Sequence, residues 1–147
     1  MARELALAVE DPRPPISADA LLRDGIGPER WFDCWLAECE GDVAGYALAC
    51  RGFEAHTGKR RLWFGDLYVL ASARQRGIGR ALLETVARHA VAIGCDAIYW
   101  ELWRQNSVGS AFYAGLKAQE LTDLAIMRMD AQSLQALDRR PNPMSPT

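Results

Sequence analysis

The periodicity of the chain changes once, and that change limits what it can fold into. Up to Leu70 the apolar residues come in short runs bounded by turn signals. From Gly77 to Ile93 they recur every fourth position, at Ile78, Leu82, Val86 and Ala90, with Leu83, Ala87 and Val91 beside them. The first pattern is that of strands and the second that of an amphipathic helix. Arg80, Glu84 and Arg88 form an exposed row at i, i+4 spacing, and Gly94 marks the stop. Strands that need a helix to cover them place the chain in the α/β class.

The strands read as Phe32 to Cys39 and Val43 to Cys50, joined through Glu40-Gly41-Asp42 as a hairpin with Gly-Asp as its turn. Gly52 to Lys59 is expected as a loop and Arg61 to Leu70 as a third, aromatic-rich strand. Beyond the long helix, Asp96 to Trp103 reads as a strand, Asn106 to Leu116 as a helix and Leu121 to Met129 as a final strand. Glu4 to Ala8 is a short helical piece. Ser17 is expected to cap a second one through Leu21 and Leu22, ended by Asp24-Gly25. The order β-β-β-α-β-α-β combines a hairpin with a crossover unit and predicts an α/β sandwich around a mixed sheet. Residues 29–140 contain no proline, as one continuous set of strands and helices would. We expect 1–140 to be a single domain and 141–147, with three prolines, a disordered tail.

The 17 basic residues are spread along a chain of net charge −2 and pI ≈ 5.7, which argues against a nucleic-acid partner. No apolar run approaches the ~20 residues of a membrane span. The start, Met1-Ala2-Arg3-Glu4, lacks the apolar core of a signal peptide, so a cytoplasmic protein without membrane attachment is expected. Cys34, Cys39, Cys50 and Cys95 stand singly in apolar stretches and are expected as free, mostly buried thiols. His56 and His89 are the only histidines, and no C-x2-C or H-E-x-x-H spacing occurs, so no metal site is expected.

The stretch from Asp66 to Arg80, DLYVLASARQRGIGR, carries the chemistry. A strand feeds a loop with two arginines and two glycines, and the loop opens directly into the long helix. Free main-chain N–H groups and the positive end of the helix dipole make such a junction an anion site. Gly77 and Gly79 remove the side chains that would keep a phosphate from the main chain. A glycine-bearing turn with solvated arginines is the plainer alternative. A P-loop is excluded because no G-K-S/T follows. A dinucleotide fingerprint is excluded because Leu82 stands where Gly or Ala is needed.

Arg74-Gln75-Arg76-Gly77-Ile78-Gly79 resembles the Q/R-x-x-G-x-G/A pyrophosphate loop of the GNAT acetyltransferases. Asn106, followed by Phe112-Tyr113, resembles a second signature region of that superfamily. Further strings resemble the diamine (spermidine/spermine) acetyltransferase group: Ile16-Ser17 with Leu21-Leu22, Asp24-Gly25-Ile26-Gly27, Gly58-Lys59, Asp66-Leu67-Tyr68-Val69 and Lys117-Ala118-Gln119-Glu120-Leu121. The likeness runs from about Glu4 to Asp130.

The resemblance implies a GNAT-type mixed, mostly antiparallel sheet flanked by helices. The family's first strand is expected to be missing, since the resemblance places it before Met1. It implies acetyl-CoA as co-substrate, no metal, a small primary amine as acceptor, and a homodimer. The pyrophosphate would lie against the main chain of Arg74, Gln75, Arg76, Gly77, Ile78, Gly79 and Arg80. The main chain of Leu67, Tyr68 and Val69 would pair with the pantetheine arm as an added strand. The N–H near Val69 would polarise the thioester carbonyl, and Asn106 would hold the same arm or simply cap its helix. Tyr113 matches the residue that gives its proton to the departing thiolate. Where the family has an acid before Asp66, this chain has Gly65, so the base is expected at Asp66 or at Glu101, the latter as a buried carboxylate within an apolar strand. Glu10, Asp11 and Glu54 are further acids available to a cationic acceptor. A non-catalytic acyl-CoA-binding module is the competing reading.

Overall fold

The computed structural model of the protein describes residues 17–138. The expected helix at Glu4 to Ala8 and the expected tail at 141–147 lie outside them. The chain divides into two compact units, Met1–Ser110 and Ala111–Thr147. The described elements are α1 (Ala18–Gly25), β1 (Asp33–Cys39), β2 (Asp42–Glu54), β3 (Lys59–Val69), α2 (Ile78–Ala92), β4 (Cys95–Tyr99), α3 (Ser107–Ala114) and α4 (Ala131–Asp138). The four strands form one sheet in the order β1-β2-β3-β4. Its first two pairings are antiparallel and the last is parallel, so α2 is the crossover between parallel neighbours. No helix among the described residues is long and apolar enough to cross a membrane.

Local sequence accounts for most element boundaries. Ser17 caps α1, its hydroxyl accepting from the Ala20 N–H at 3.1 Å, and the helix ends at Gly25 as expected. The β1–β2 turn is Glu40-Gly41 and not Gly41-Asp42. Both residues take positive φ (57° and 89°), while Cys39 and Asp42 already pair, the arrangement of a two-residue type I′ turn. The expected loop over Gly52 to Lys59 shrinks to residues 55–58, because the ladder continues through Gly52↔Arg61 to Glu54↔Lys59 and satisfies those backbone groups. Strand β4 stops at Tyr99 instead of Trp103, since its pairing with β3 ends at Trp63↔Tyr99. The expected final strand, Leu121 to Met129, is not formed. Those residues are exposed and carry no regular element, and an apolar run becomes a strand only where a neighbour completes its ladder. Instead a short helix, α4, follows Asp130, whose carboxylate accepts from the Ser133 N–H at 2.8 Å.

The core of the first unit lies between one face of the sheet and α2. Ala47, Ala49, Leu62 and Phe64 meet Leu82, Val86 and Ala90, with Ile78 and Leu83 partly buried at the margin. That stripe is the one the fourfold period predicts. Val91 is the exception: it is 75% exposed on the outer side of α2. All four cysteines are free, but none is fully buried: Cys34 is exposed and the other three are half-buried, with only Cys95 packed against the core cluster.

Candidate active site

Strand β3 changes phase in its middle. Leu48 pairs with Asp66 and Ala49 with Phe64, leaving Gly65 as the extra residue of a β-bulge. Before the bulge Leu62 and Phe64 face α2; after it Leu67 and Val69 do, so Asp66 and Tyr68 point to the opposite face. A Cβ on Gly65 would stand 3.1 Å from the Leu48 side chain. The bulge therefore aims a carboxylate away from the core at the position where the sheet opens.

The opening follows from the β3–β4 ladder. β4 pairs with Arg60 to Trp63 only, so β3 runs on to Val69 held by β2 alone among the described strands. The Leu70 N–H donates to the Ala44 carbonyl at 2.9 Å, toward β2. By alternation, the N–H groups of Val69 and Leu67 point toward the open edge. The Arg74 Nε donates to the Val69 carbonyl at 3.0 Å, and its guanidinium lies 5.7 Å from the centre of the Tyr68 ring.

Beyond Val69, a turn of 3₁₀ helix at Ala71–Ala73 leads to two left-handed residues, Gln75 (φ 61°) and Gly77 (φ 79°). Gly77 sits at the N-cap of α2 with no side chain to cap it, and the first intrahelical bond runs from Ala81 to the Gly77 carbonyl at 3.0 Å. Ile78, Gly79 and Arg80 thus present N–H groups that the helix does not use. A Cβ on Gly77 would meet no protein atom within 4 Å. A left-handed loop at a helix N-terminus has main-chain geometry that can cradle an anion. Two of the nearby cations have partners: Arg80 with Glu84 at 2.8 Å and Arg76 with Glu40 at 3.9 Å.

The two carboxylates expected as bases stand in different surroundings. Asp66 is half-buried, and burial raises its carboxyl above the usual carboxylate range, partly offset by the Tyr46 hydroxyl, which donates to Oδ2 at 3.3 Å. Glu101 is exposed and lies past the end of β4. The expectation of a buried carboxylate there is corrected, because the strand that would have buried it stops two residues earlier. Glu54 is engaged by the Thr57 hydroxyl at 2.7 Å and by Arg61 at 3.3 Å, while Glu10 and Asp11 lie outside the described residues. Tyr46 is a residue that sequence reasoning missed. Its signal was a lone hydroxyl-bearing side chain inside the apolar run Val43 to Ala49.

Asn106 stands immediately before α3, and its Oδ1 accepts from the Gly109 N–H at 2.8 Å, a side-chain cap. Tyr113 belongs to the second unit. Its ring is 5.1 Å from that of Phe112, its carbonyl accepts from Leu116 and Ala118, and burial pushes its phenol up to about 12. Among the described residues no group of three or more His, Cys, Asp or Glu side chains could hold a metal ion.

A family model described as acetyltransferase (GNAT) family matches residues 3–116. Thialysine N-epsilon-acetyltransferase of Mus musculus is 33% identical over 116 residues, covering 74% of this chain and 68% of that protein. Spermidine/spermine N(1)-acetyltransferase-like protein 1 of Homo sapiens is 28% identical over 116 residues, covering 73% of this chain and 16% of that protein. Among solved structures, AAC(6′)-Iy in complex with the bisubstrate analog CoA-S-monomethyl-acetylneamine is similar with a TM-score of 0.68 at 23% identity, over 80% of this chain and 84% of that one.

Proposed function

The chain belongs to the GNAT acetyltransferase family, and on that premise we propose that it moves an acetyl group from acetyl-CoA to a small primary amine by direct attack in a ternary complex. The observation that carries this reading is the open edge of β3 running from Asp66 to Val69 into the left-handed loop before α2. One continuous stretch of main chain offers outward N–H groups for an extended arm and then a cradle for phosphates.

In this reading the N–H groups of Ile78, Gly79 and Arg80 hold the pyrophosphate, and Gly77 lets it approach. The main chain of Leu67 and Val69 pairs with the pantetheine arm, and the Val69 N–H donates to the thioester oxygen as negative charge builds there. Asp66 accepts, directly or through water, the proton that the amine must lose. Tyr113 returns a proton to the thiolate; with its phenol pushed up to about 12 it is fully protonated at neutral pH. Asn106 shapes the start of α3 through its cap and holds the pantetheine arm with its remaining amide donors.

Both relatives are named for acceptors that are aliphatic amines, which supports the acceptor class. With Glu54 engaged by its neighbours and Glu101 exposed past β4, Asp66 is left as the counter-charge beside the reacting nitrogen. A short amine with one or two positive charges should therefore be preferred to spermine. The experiment is thiol release from acetyl-CoA across diamines, polyamines, lysine analogues, aminoglycosides and peptides. Calorimetric binding of acetyl-CoA with no thiol release from any acceptor would assign a binding module instead. The outer edge of β1 pairs with no described strand, which favours assembly as a homodimer. Light scattering at micromolar concentration should give twice the chain mass, and a monomer would refute it.

A further inference from the structure

Tyr46 and Asp66 are diagonal neighbours on the face of the sheet that turns away from α2. Leu48 lies opposite Asp66, Tyr46 lies opposite Tyr68, and the Tyr46 hydroxyl reaches Asp66 Oδ2 at 3.3 Å. Tyr46 is only 7% exposed, so its hydroxyl has little water to turn to. The Tyr46 and Tyr68 rings stand 6.4 Å apart, and Arg74, 5.7 Å from the centre of the Tyr68 ring, holds the Val69 carbonyl. A contiguous set of contacts therefore runs from Asp66 through two tyrosines to the last residue of the open edge.

We propose that Tyr46 is the positioning residue of the acceptor side: its hydroxyl pins Oδ2 of Asp66 and leaves Oδ1 to receive the amine proton. This rests on the acetyl-transfer reading above. In the step itself an ammonium N–H bond breaks and its proton passes to Oδ1. The freed nitrogen pair forms the C–N bond, and the C–S pair leaves on sulfur, which takes its proton from the Tyr113 hydroxyl. The second proton of the nitrogen, lost through water as the amide forms, restores that hydroxyl. A hydroxyl that donates to one carboxylate oxygen favours the charged form, so Tyr46 works against the burial that raises Asp66 and keeps the base ionised. Among the described residues the other titratable groups facing Asp66 are the Cys34 thiol from β1, the Cys50 thiol from β2 and the Tyr68 hydroxyl on its own strand. Burial and the Asp66 charge raise the Cys34 thiol, and burial with the Asp33 and Asp66 charges raises that of Cys50, which leaves the Tyr46 hydroxyl as the donor that sets the carboxylate.

Tyr46→Phe removes one oxygen and leaves the ring in place. The Asp66 carboxyl carbon is followed by NMR titration in the intact wild type and in the variant. The hydroxyl favours the charged carboxylate, but 3.3 Å is long for O–H···O, so its loss should have the modest effect of a weak charge-assisted bond. The midpoint should therefore rise by roughly one pH unit in Tyr46→Phe. The acid limb of kcat/KM for a diamine should move up with it, the rate below the limb falling about tenfold, while KM for acetyl-CoA stays unchanged. In an Asp66→Asn background Tyr46→Phe should have no further effect, because the two act as one unit. An unmoved carboxyl midpoint overturns the proposal, and so does a midpoint that moves while the rate profile does not. Absence of thiol release with every amine tested would refute the acetyl-transfer reading separately, since the NMR midpoint decides the Tyr46–Asp66 link without turnover.

Discussion

Replacing Gly77 with valine separates backbone strain from ligand exclusion, and the structure sets the size of each. Gly77 has φ 79° and ψ 0°, a left-handed conformation that costs an L residue about 1–2 kcal/mol. No protein atom lies within 4 Å of the Cβ it would gain, so no clash adds to that cost. For a domain of this size 1 kcal/mol corresponds to roughly 4 °C, so the melting temperature should fall by about 4–8 °C and the variant should remain folded. Binding should suffer far more. Each charge-assisted N–H bond to phosphate contributes about 1.5–3 kcal/mol. Displacing the anion from two of the three free N–H groups at Ile78, Gly79 and Arg80 would raise Kd by about 10²–10⁴-fold. Calorimetric titration of acetyl-CoA against wild type, Gly77→Ala and Gly77→Val measures this, with thermal melts run alongside. The alanine variant carries a left-handed backbone cost without β-branching and with less bulk, so its affinity should fall between the other two. A folded Gly77→Val protein that binds acetyl-CoA as tightly as wild type would refute the cradle.

Tyr113→Phe should leave the fold and acetyl-CoA affinity intact and lower turnover by about 10²–10⁴-fold. Because burial holds its phenol near 12, the wild-type rate profile should show no falling limb from this group in the ordinary assay range, and full activity in the variant would remove Tyr113 from the mechanism. Asp66→Asn should raise KM for cationic amines and also stabilise the protein at neutral pH. The folded-state pKa of Asp66 lies above its unfolded value, so the wild type loses stability as pH rises from the usual carboxylate value through the raised one. Calorimetric melts should show the variant's advantage at pH 7 closing toward pH 3, and an advantage that persists at pH 3 would refute the assignment. Asn106→Ala removes the α3 cap and should cost about 1 kcal/mol in denaturant unfolding, with an unchanged midpoint counting against the capping role.

What could be read in the sequence depended on whether a feature repeats locally. The α2 stripe repeats over four turns, and its buried members are those the period selects, apart from Val91, which lies at the edge of the stripe. Gly77 stood out in the sequence for the side chain it lacks, whereas its left-handed backbone was not legible, because φ at a loop-to-helix junction is set by how the loop enters the helix. The hairpin was legible, but its turn was placed one residue late. Register, not composition, decides which pair carries positive φ. Tyr46 was hidden because its partner is twenty residues away and an isolated tyrosine in an apolar strand reads as packing. Glu101 misled for a related reason: its apolar neighbours suggested a buried strand, while the ladder that would have buried it ends at Tyr99. The phase change at Gly65 left a mark that went unread. The inward residues Leu62, Phe64, Leu67 and Val69 are spaced two, three and two apart, with a glycine in the wider gap.

That gap divides one strand into two with different tolerances to change. From Arg60 to Trp63, β3 has a partner on each side and contributes Leu62, which is fully buried, so substitutions there should be limited by folding. From Asp66 to Val69 it has a described partner on one side only, and substitutions there should be limited by turnover. Inserting or deleting a single residue near position 65 would exchange the faces of everything downstream, turning Asp66 and Tyr68 inward and Leu67 and Val69 outward. A library of point substitutions along β3 should therefore sort into two blocks, one failing in expression and the other in activity. Length changes at the junction should fail in both.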